Sequence, residues 1–301
     1  MGGGAAKMSD TINSVKSSTI KSVKFDDENY PVRLKDTKNP PKELFYRGDI
    51  SLASKLSVAI VGTRKATRYG IWAAMNLAEK LAGHGVIVTS GMAFGIDSCG
   101  HRGAIKGGGK TIAVLGSGVD ICSPASNRAL RDEILKDGLV ISEFPPGMQA
   151  NKHTFPQRNR IISGLSVATV VVEAGLSSGS LITAEFAAEQ GREVYAVPGN
   201  IDSPYSLGAN KLIKEGALPI VVIDDLLDDL GIKRNPDVYD IEELGEAERE
   251  MLKHIENQTE VTVERLYQIT GKQPSEINGI LTILEIKGRI YTFMGKIFIA
   301  K

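Results

Sequence analysis

From Ser57 onward, short apolar runs alternate with helix-length amphipathic segments. Ser57–Gly62 (SVAIVG) is apolar almost throughout and ends in glycine. The segment from about Arg68 to Ala82 places Ile71, Met75, Leu77, Ala78 and Leu81 at helical spacing. Val86–Gly91, Thr111–Gly118, Leu139–Phe144, Val167–Gly175 and Glu193–Gly199 repeat the apolar pattern, each separated from the next by a helix-length stretch. Runs that are apolar on both faces, with helices between them, predict a mostly parallel sheet covered on both sides, an α/β Rossmann-like fold. Nearly every run ends in Gly or Pro, so the loops that could bind a ligand collect at the carboxyl edge. Pro219–Ile223 predicts a last strand, and the acidic stretch after it a short helix.

The flanks read differently. Residues 1–24 are small and polar and predict a disordered leader. Residues 25–55 carry Pro31, Pro40 and Pro41 around single apolar residues, which predicts an extended strap across a larger body. Residues 56–232 form the Rossmann-like domain and 233–243 a linker. Residues 244–301 read as a separate unit. In it, Ala247–Ile255, Val263–Thr270 and Ser275–Lys287 are short amphipathic helices, and a hairpin turns at Met294-Gly295. Helices followed by such a hairpin predict a small C-terminal winged-helix domain.

Composition narrows the function classes. The 301-residue chain is long enough for one large domain and a small one. No apolar run approaches a membrane span, so no membrane association is expected. Cys99 and Cys122 have no metal-ligand spacing, which points to reduced thiols in a cytoplasmic protein. Net charge is zero but unevenly spread: 17 Lys+Arg against 13 Asp+Glu from Lys55 to Ile223, then 10 against 16 from Asp224 to Lys301. An anion-binding surface therefore belongs to the middle of the chain.

Several local motifs are incomplete. Gly109-Lys110-Thr111 ends like a phosphate-binding loop, but it precedes a strand and lacks the first glycine. Gly116-Ser117-Gly118 opens a dinucleotide fingerprint without completing it. His84, His101, His153 and His254 are scattered, so no metal is expected; His101 reads as a helix residue within reach of Asp97. The stronger signals act together. Gly62, Thr63 and Arg64 end the first strand, where arginine can fork onto a phosphate. Phe155 offers a face for a base, beside Arg158, Asn159 and Arg160. Ser178, Gly179, Ser180 and Thr183 open a helix with hydroxyls and amides suited to an anion.

The succession VAIVGTR, SGMAFGID, TIAVLGSGVD, ISEFPPG, FPQRNRIISGLS, VVVEAGLSSGSLITAEFAAEQGREVYAVPGN and GANKLIKEGA strongly resembles the bacterial DNA-processing protein A family (DprA, also called Smf). The likeness runs from about Tyr30 to Ala217. It implies sequence-tolerant binding of single-stranded DNA, protection of incoming DNA in natural transformation, loading of the RecA recombinase, and a homodimer. It also implies no catalysis and no cofactor. Carried over by position, it sets Arg64, Arg158, Asn159 and Arg160 along one groove, with Ser178, Gly179 and Ser180 as an amide cradle. The chain departs from the family at Cys122-Ser123-Pro124, where a Tyr-Pro pair is common, and Arg128 is the candidate substitute contact. Met1–Lys24 is too polar to form the helical N-terminal domain of many members. The third helix of the small domain carries Glu276 and Glu285, which favours a protein-contact or regulatory role over reading of a duplex.

Two enzyme readings compete. VVVEAGLSSGSLITAE is similar to the glycine-rich motif of nucleotide phosphoribohydrolases, with Glu185 and Arg160 as the candidates at the N-glycosidic bond. A nicotinamide-dependent oxidoreductase rests on fold alone.

Overall fold

The computed structural model describes residues 19–232, 244–256, 258, 261–287, 289–293 and 295–299. The chain divides into two compact units, Met1–Arg234 and Asn235–Lys301. The linker expected at 233–243 and most of the expected leader lie outside the described residues.

The larger unit is built on a nine-stranded sheet. Its strands are β1 (Lys21–Lys24), β2 (Glu43–Gly48), β3 (Ser57–Val61), β4 (Ile87–Ser90), β5 (Thr111–Val114), β6 (Leu139–Ser142), β7 (Ala168–Val171), β8 (Glu193–Ala196) and β9 (Leu218–Pro219). The spatial order is β1-β2-β6-β5-β4-β3-β7-β8-β9. Strands β3 to β9 run parallel, whereas β2 is antiparallel to both β1 and β6. The helices are α1 (Val32–Lys35), α2 (Arg68–Gly83), α3 (Ile96–Lys106), α4 (Arg128–Asp137), α5 (Thr154–Leu165), α6 (Gly179–Glu189), α7 (Leu207–Lys214) and α8 (Ile223–Asp229).

Every residue of β3 is buried, as a strand covered on both faces requires. Ala59 and Val61 join one core with Ile161, Ile162 and Leu165 of α5 and Ala184 of α6. Val58 and Ile60 join the opposite core with Ala74, Leu77 and Leu81 of α2 and Ile96 of α3. Each such leucine or isoleucine stabilises the fold by about 1.5–3 kcal/mol relative to exposure. Helix α2 starts where it does because the Thr67 side chain accepts from the Gly70 amide at 3.1 Å.

Three expectations are corrected. Lys21–Lys24, expected to end the leader, is an edge strand whose Val23 is buried. The strap does not merely cross the body: Glu43–Gly48 extends the main sheet, pairing Phe45 with Ser142 and Arg47 with Val140. Of the last strand expected at Pro219–Ile223, the sheet takes only Leu218–Pro219. There the Asp225 carboxylate accepts from the Val222 amide at 3.1 Å and, with Asp224, fixes a helix start instead.

The smaller unit holds α9 (Glu246–Glu256), α10 (Val263–Thr270) and α11 (Pro274–Ile286), followed by the antiparallel hairpin β10 (Ile290–Phe293) and β11 (Lys296–Ile299). Met251, Leu266, Ile277 and Leu284 sit in its own core. The arrangement is that of a winged helix. The acidic residues of α11 are engaged within the unit: Glu276 lies 3.4 Å from Lys272, and Glu285 accepts from the Thr292 amide at 3.0 Å.

Candidate nucleic-acid interface

Strand β3 has β4 on one side and β7 on the other, so the connections leaving β3 and β7 turn to opposite sides of the sheet. That reversal opens a crevice at the carboxyl edge. A cleft of about 510 Å³ occupies it. Gly62, Thr63, Arg64 and Lys65 form one wall, from the loop after β3. Phe155, Arg158 and Asn159 come from α5, and Ser177 to Ser180 and Thr183 from the start of α6. Pro204 and Tyr205 close the rim ahead of α7.

Arg64 and Lys65 are exposed, and the Arg64 guanidinium lies 5.1 Å from the centre of the Phe155 ring. The Thr63 amide donates to the Glu173 carbonyl at 2.7 Å, tying this loop to the end of β7. Across the cleft, Ser178 caps α6 through its hydroxyl, 3.4 Å from the Ser180 amide and 2.8 Å from the Ser180 hydroxyl. Asn159 braces that turn, donating from Nδ2 to the Gly179 carbonyl at 3.1 Å. A helix start of small residues facing an exposed arginine over an aromatic ring can hold a phosphate and an adjacent base together.

The two other expected arginines have different surroundings. Arg158 is buried in the cleft floor, where Nη1 donates to the Gly91 carbonyl at 2.6 Å and to the Val114 carbonyl, and Nε donates to Asn159 Oδ1 at 3.2 Å. It braces the ends of β4 and β5. Gly91 leaves room for that contact: a Cβ there would stand 2.4 Å from Arg158 Nη1 and displace the guanidinium. Burial pulls the guanidinium down to about 10, against the favourable charge of Asp97. Asp97 is itself pushed above the usual carboxylate range by burial, opposed by Arg158 and by amides of Ala93, Gly91 and Gly62. Arg160 does not line the cleft. It pairs with Glu143, a carboxyl raised by burial and held back by that arginine.

Lys65, Tyr205 and Asp97 also line the cleft and were not singled out from sequence. Lys65 adjoins Arg64, a usable signal; Tyr205 is brought in by the fold from a loop with no motif. Arg128 is exposed at the start of α4 and does not line the cleft. Glu185, the other half of the hydrolase pair, is exposed on α6, and neither it nor Arg160 is a lining residue. His101 does not use Asp97: its Nδ1 meets the Thr111 hydroxyl at 2.7 Å, at the start of β5. Among the described residues no group of three or more His, Cys, Asp or Glu could hold a metal ion. No helix of the described residues is long and apolar enough to cross a membrane.

The family model described as DNA recombination-mediator protein A matches residues 21–231, ending before the smaller unit. The chain is 42% identical over 212 residues to DNA processing protein DprA of Bacillus subtilis, covering 70% of this chain and 71% of that protein. It is 44% identical over 201 residues to the Streptococcus pneumoniae protein of the same name, covering 67% and 71%. Among solved structures, that of the Streptococcus pneumoniae protein superposes with a TM-score of 0.68 at 39% identity, covering 75% of this chain and 79% of that one. DNA processing protein A of Helicobacter pylori, described for its single-stranded DNA binding mode, superposes with a TM-score of 0.65 at 31% identity, covering 71% and 97%.

Proposed function

The chain belongs to the DNA recombination-mediator protein A family, and from that premise we propose that it holds single-stranded DNA in the cleft between β3 and β7, without sequence preference and without covalent chemistry. The observation that carries this reading is the exposed Arg64 over Phe155, facing the helix start at Ser178–Ser180 across the switch point. In this reading Arg64 and Lys65 meet phosphates, Phe155 stacks on a base, and Gly62, Thr63, Gly179, Ser180 and Thr183 let the backbone approach. Asn159, Ser178 and Arg158 hold the walls in place. The strand is then handed to the RecA recombinase, the protein works as a homodimer, and its site of action is the cytoplasm, in keeping with its two free cysteines. Binding protects incoming DNA in transformation and serves recombination.

Fluorescence anisotropy with labelled oligo-dT tests the reading. Affinity should fall with salt with a log–log slope of about −0.7 per phosphate contact. The double variant Arg64→Ala/Lys65→Ala should bind at least tenfold more weakly at about 50 mM salt, with a slope shallower by about 1 to 1.5. Arg160→Ala, which leaves the cleft intact, should bind like the unaltered protein. Equal affinity of the double variant and the unaltered protein at low salt would remove the cleft from consideration.

A further inference from the structure

The loop that carries Arg64 and Lys65 into the cleft runs directly into α2, and the first two turns of that helix present aromatic rings to solvent. Tyr69 is 50% exposed and Trp72 56%, one turn apart on the same face. Their rings stack with centres 6.0 Å apart and planes inclined by 25°. Phe94, 49% exposed, comes from the loop after β4. Its neighbour Gly95 packs against the carbonyls of Thr63 and Arg64 so closely that a Cβ there would stand 2.3 Å from the Thr63 oxygen. Large aromatic surface left in water at three positions needs an occupant, since single exposed apolar residues are ordinary but an exposed stack is not.

We propose that Tyr69 and Trp72 form a second stacking station on the path of the same single strand, which leaves the cleft over Arg64, Lys65 and Arg68. This rests on the reading of the cleft as a single-stranded DNA site. Charge selects the occupant. Between Gly62 and Ala78 the sequence carries Arg64, Lys65 and Arg68 and no acidic residue. Basic side chains interleaved with exposed aromatic faces suit a polyanion with stackable bases better than an apolar protein surface. Position supports it too. The first turn of α2 is fixed to the cleft wall, because Glu173 at the end of β7 accepts from the Thr67 amide at 2.9 Å and from the Thr67 hydroxyl. Gly70 packs against the same carboxylate, which a Cβ there would displace. From Lys65 to Tyr69 the chain spans at most about 14 Å, a reach of a few nucleotides. A pre-stacked pair held on a helix loses little freedom when a base adds to the stack.

Trp72 is the single tryptophan of the chain, so its emission reports on this station directly. The full chain should be titrated with fluorescein-labelled oligo-dT of roughly 3 and roughly 20 nucleotides, lengths bracketing an ordinary single-strand site, the shorter unable to fill the cleft and reach Trp72 together, reading label anisotropy and tryptophan emission. The longer oligonucleotide should quench Trp72, and the shorter should bind with much less quenching. Trp72→Ala should weaken the longer by about tenfold, within the range expected for one lost stacking contact. It should leave the shorter unchanged, and Trp72→Phe should restore most of the loss. If the longer oligonucleotide saturates the label signal with Trp72 emission and Trp72→Ala affinity both unaltered, the station is wrong and the cleft reading stands. If neither length binds, the cleft reading fails and the station with it. An emission change that follows protein concentration without DNA would mean that a second copy occupies this face, and would overturn the proposal.

Discussion

Arg158→Ala should lower the stability of the larger unit by roughly 2–5 kcal/mol, the cost of leaving two buried carbonyls without their donor and a buried carboxylate without its nearby compensating charge, while Arg64→Ala should leave stability within about 0.5 kcal/mol. The two arginines differ in what they touch. Arg64 is exposed and lies over one ring. Arg158 is buried, satisfies the carbonyls of Gly91 and Val114, and offsets the charge of Asp97. Its removal strands two strand-end carbonyls and a buried carboxylate together. The damage has a pH signature. Burial already raises Asp97 in the intact protein, so the folded state binds a proton more readily there than the unfolded chain does. That group's contribution therefore declines as pH rises from its ordinary value through its raised folded value. Without Arg158 the raised value moves higher still, so the deficit should be larger at pH 7 than at pH 5. Urea unfolding of Arg158→Ala, Asp97→Asn and the double variant at both pH values measures this. The double variant should lose less than the two singles together, because the Asp97→Asn change leaves no charge to strand. An unfolding midpoint for Arg158→Ala equal to that of the intact protein would refute the brace.

The strands β3 to β7 were legible because each is buried on both faces and so carries a short apolar run bounded by turn residues, and β8, whose Glu193 is exposed, because an apolar run follows that residue. β1 and β2 were not. KSVK and ELFYRG each bury little beyond Val23 and Leu44, so their composition reads as loop. Pairing with β6, remote in sequence, makes β2 a strand, and pairing with β2 makes β1 one. At the candidate site the glycine and serine turns were readable because small residues at strand ends have few other uses. Arg158 was readable as a site residue but not as a brace. Its partners come from β4 and β5, and nothing in FPQRNR distinguishes a guanidinium turned into the sheet from one turned to solvent. Arg160, two residues on, meets Glu143 for the same reason: helix α5 turns the two side chains in different directions.

Acid should destabilise the larger unit through His101, by about 1.4 kcal/mol for each pH unit below 6.5 and by roughly 5 kcal/mol if followed down to pH 3. The hydrogen bonds fix the tautomer. The Thr111 hydroxyl donates to the Val88 carbonyl at 2.6 Å, so its oxygen accepts from His101, whose Nδ1 carries the proton. Nε2 is then a bare acceptor, buried and without a hydrogen-bond partner in the protein. Protonating it would place a second N–H and a positive charge where nothing accepts either, with Arg158 adding repulsion. Burial accordingly drives the imidazole down from 6.5 to about 3. The sign follows. Between these values the unfolded chain holds a proton that the folded chain does not, so stability is complete above pH 6.5 and is lost as pH falls. Asp97 titrates with the opposite sense, which makes a variant essential. His101→Leu should be less stable at pH 7 by about 1 kcal/mol for the lost hydrogen bond. It should also lose less than the intact protein between pH 6.5 and 4.5, where the histidine alone contributes roughly 2.7 kcal/mol. Urea midpoints at pH 7.5, 6.5, 5.5 and 4.5 give both slopes, and parallel slopes for the two proteins would show that His101 is not the acid-sensitive group.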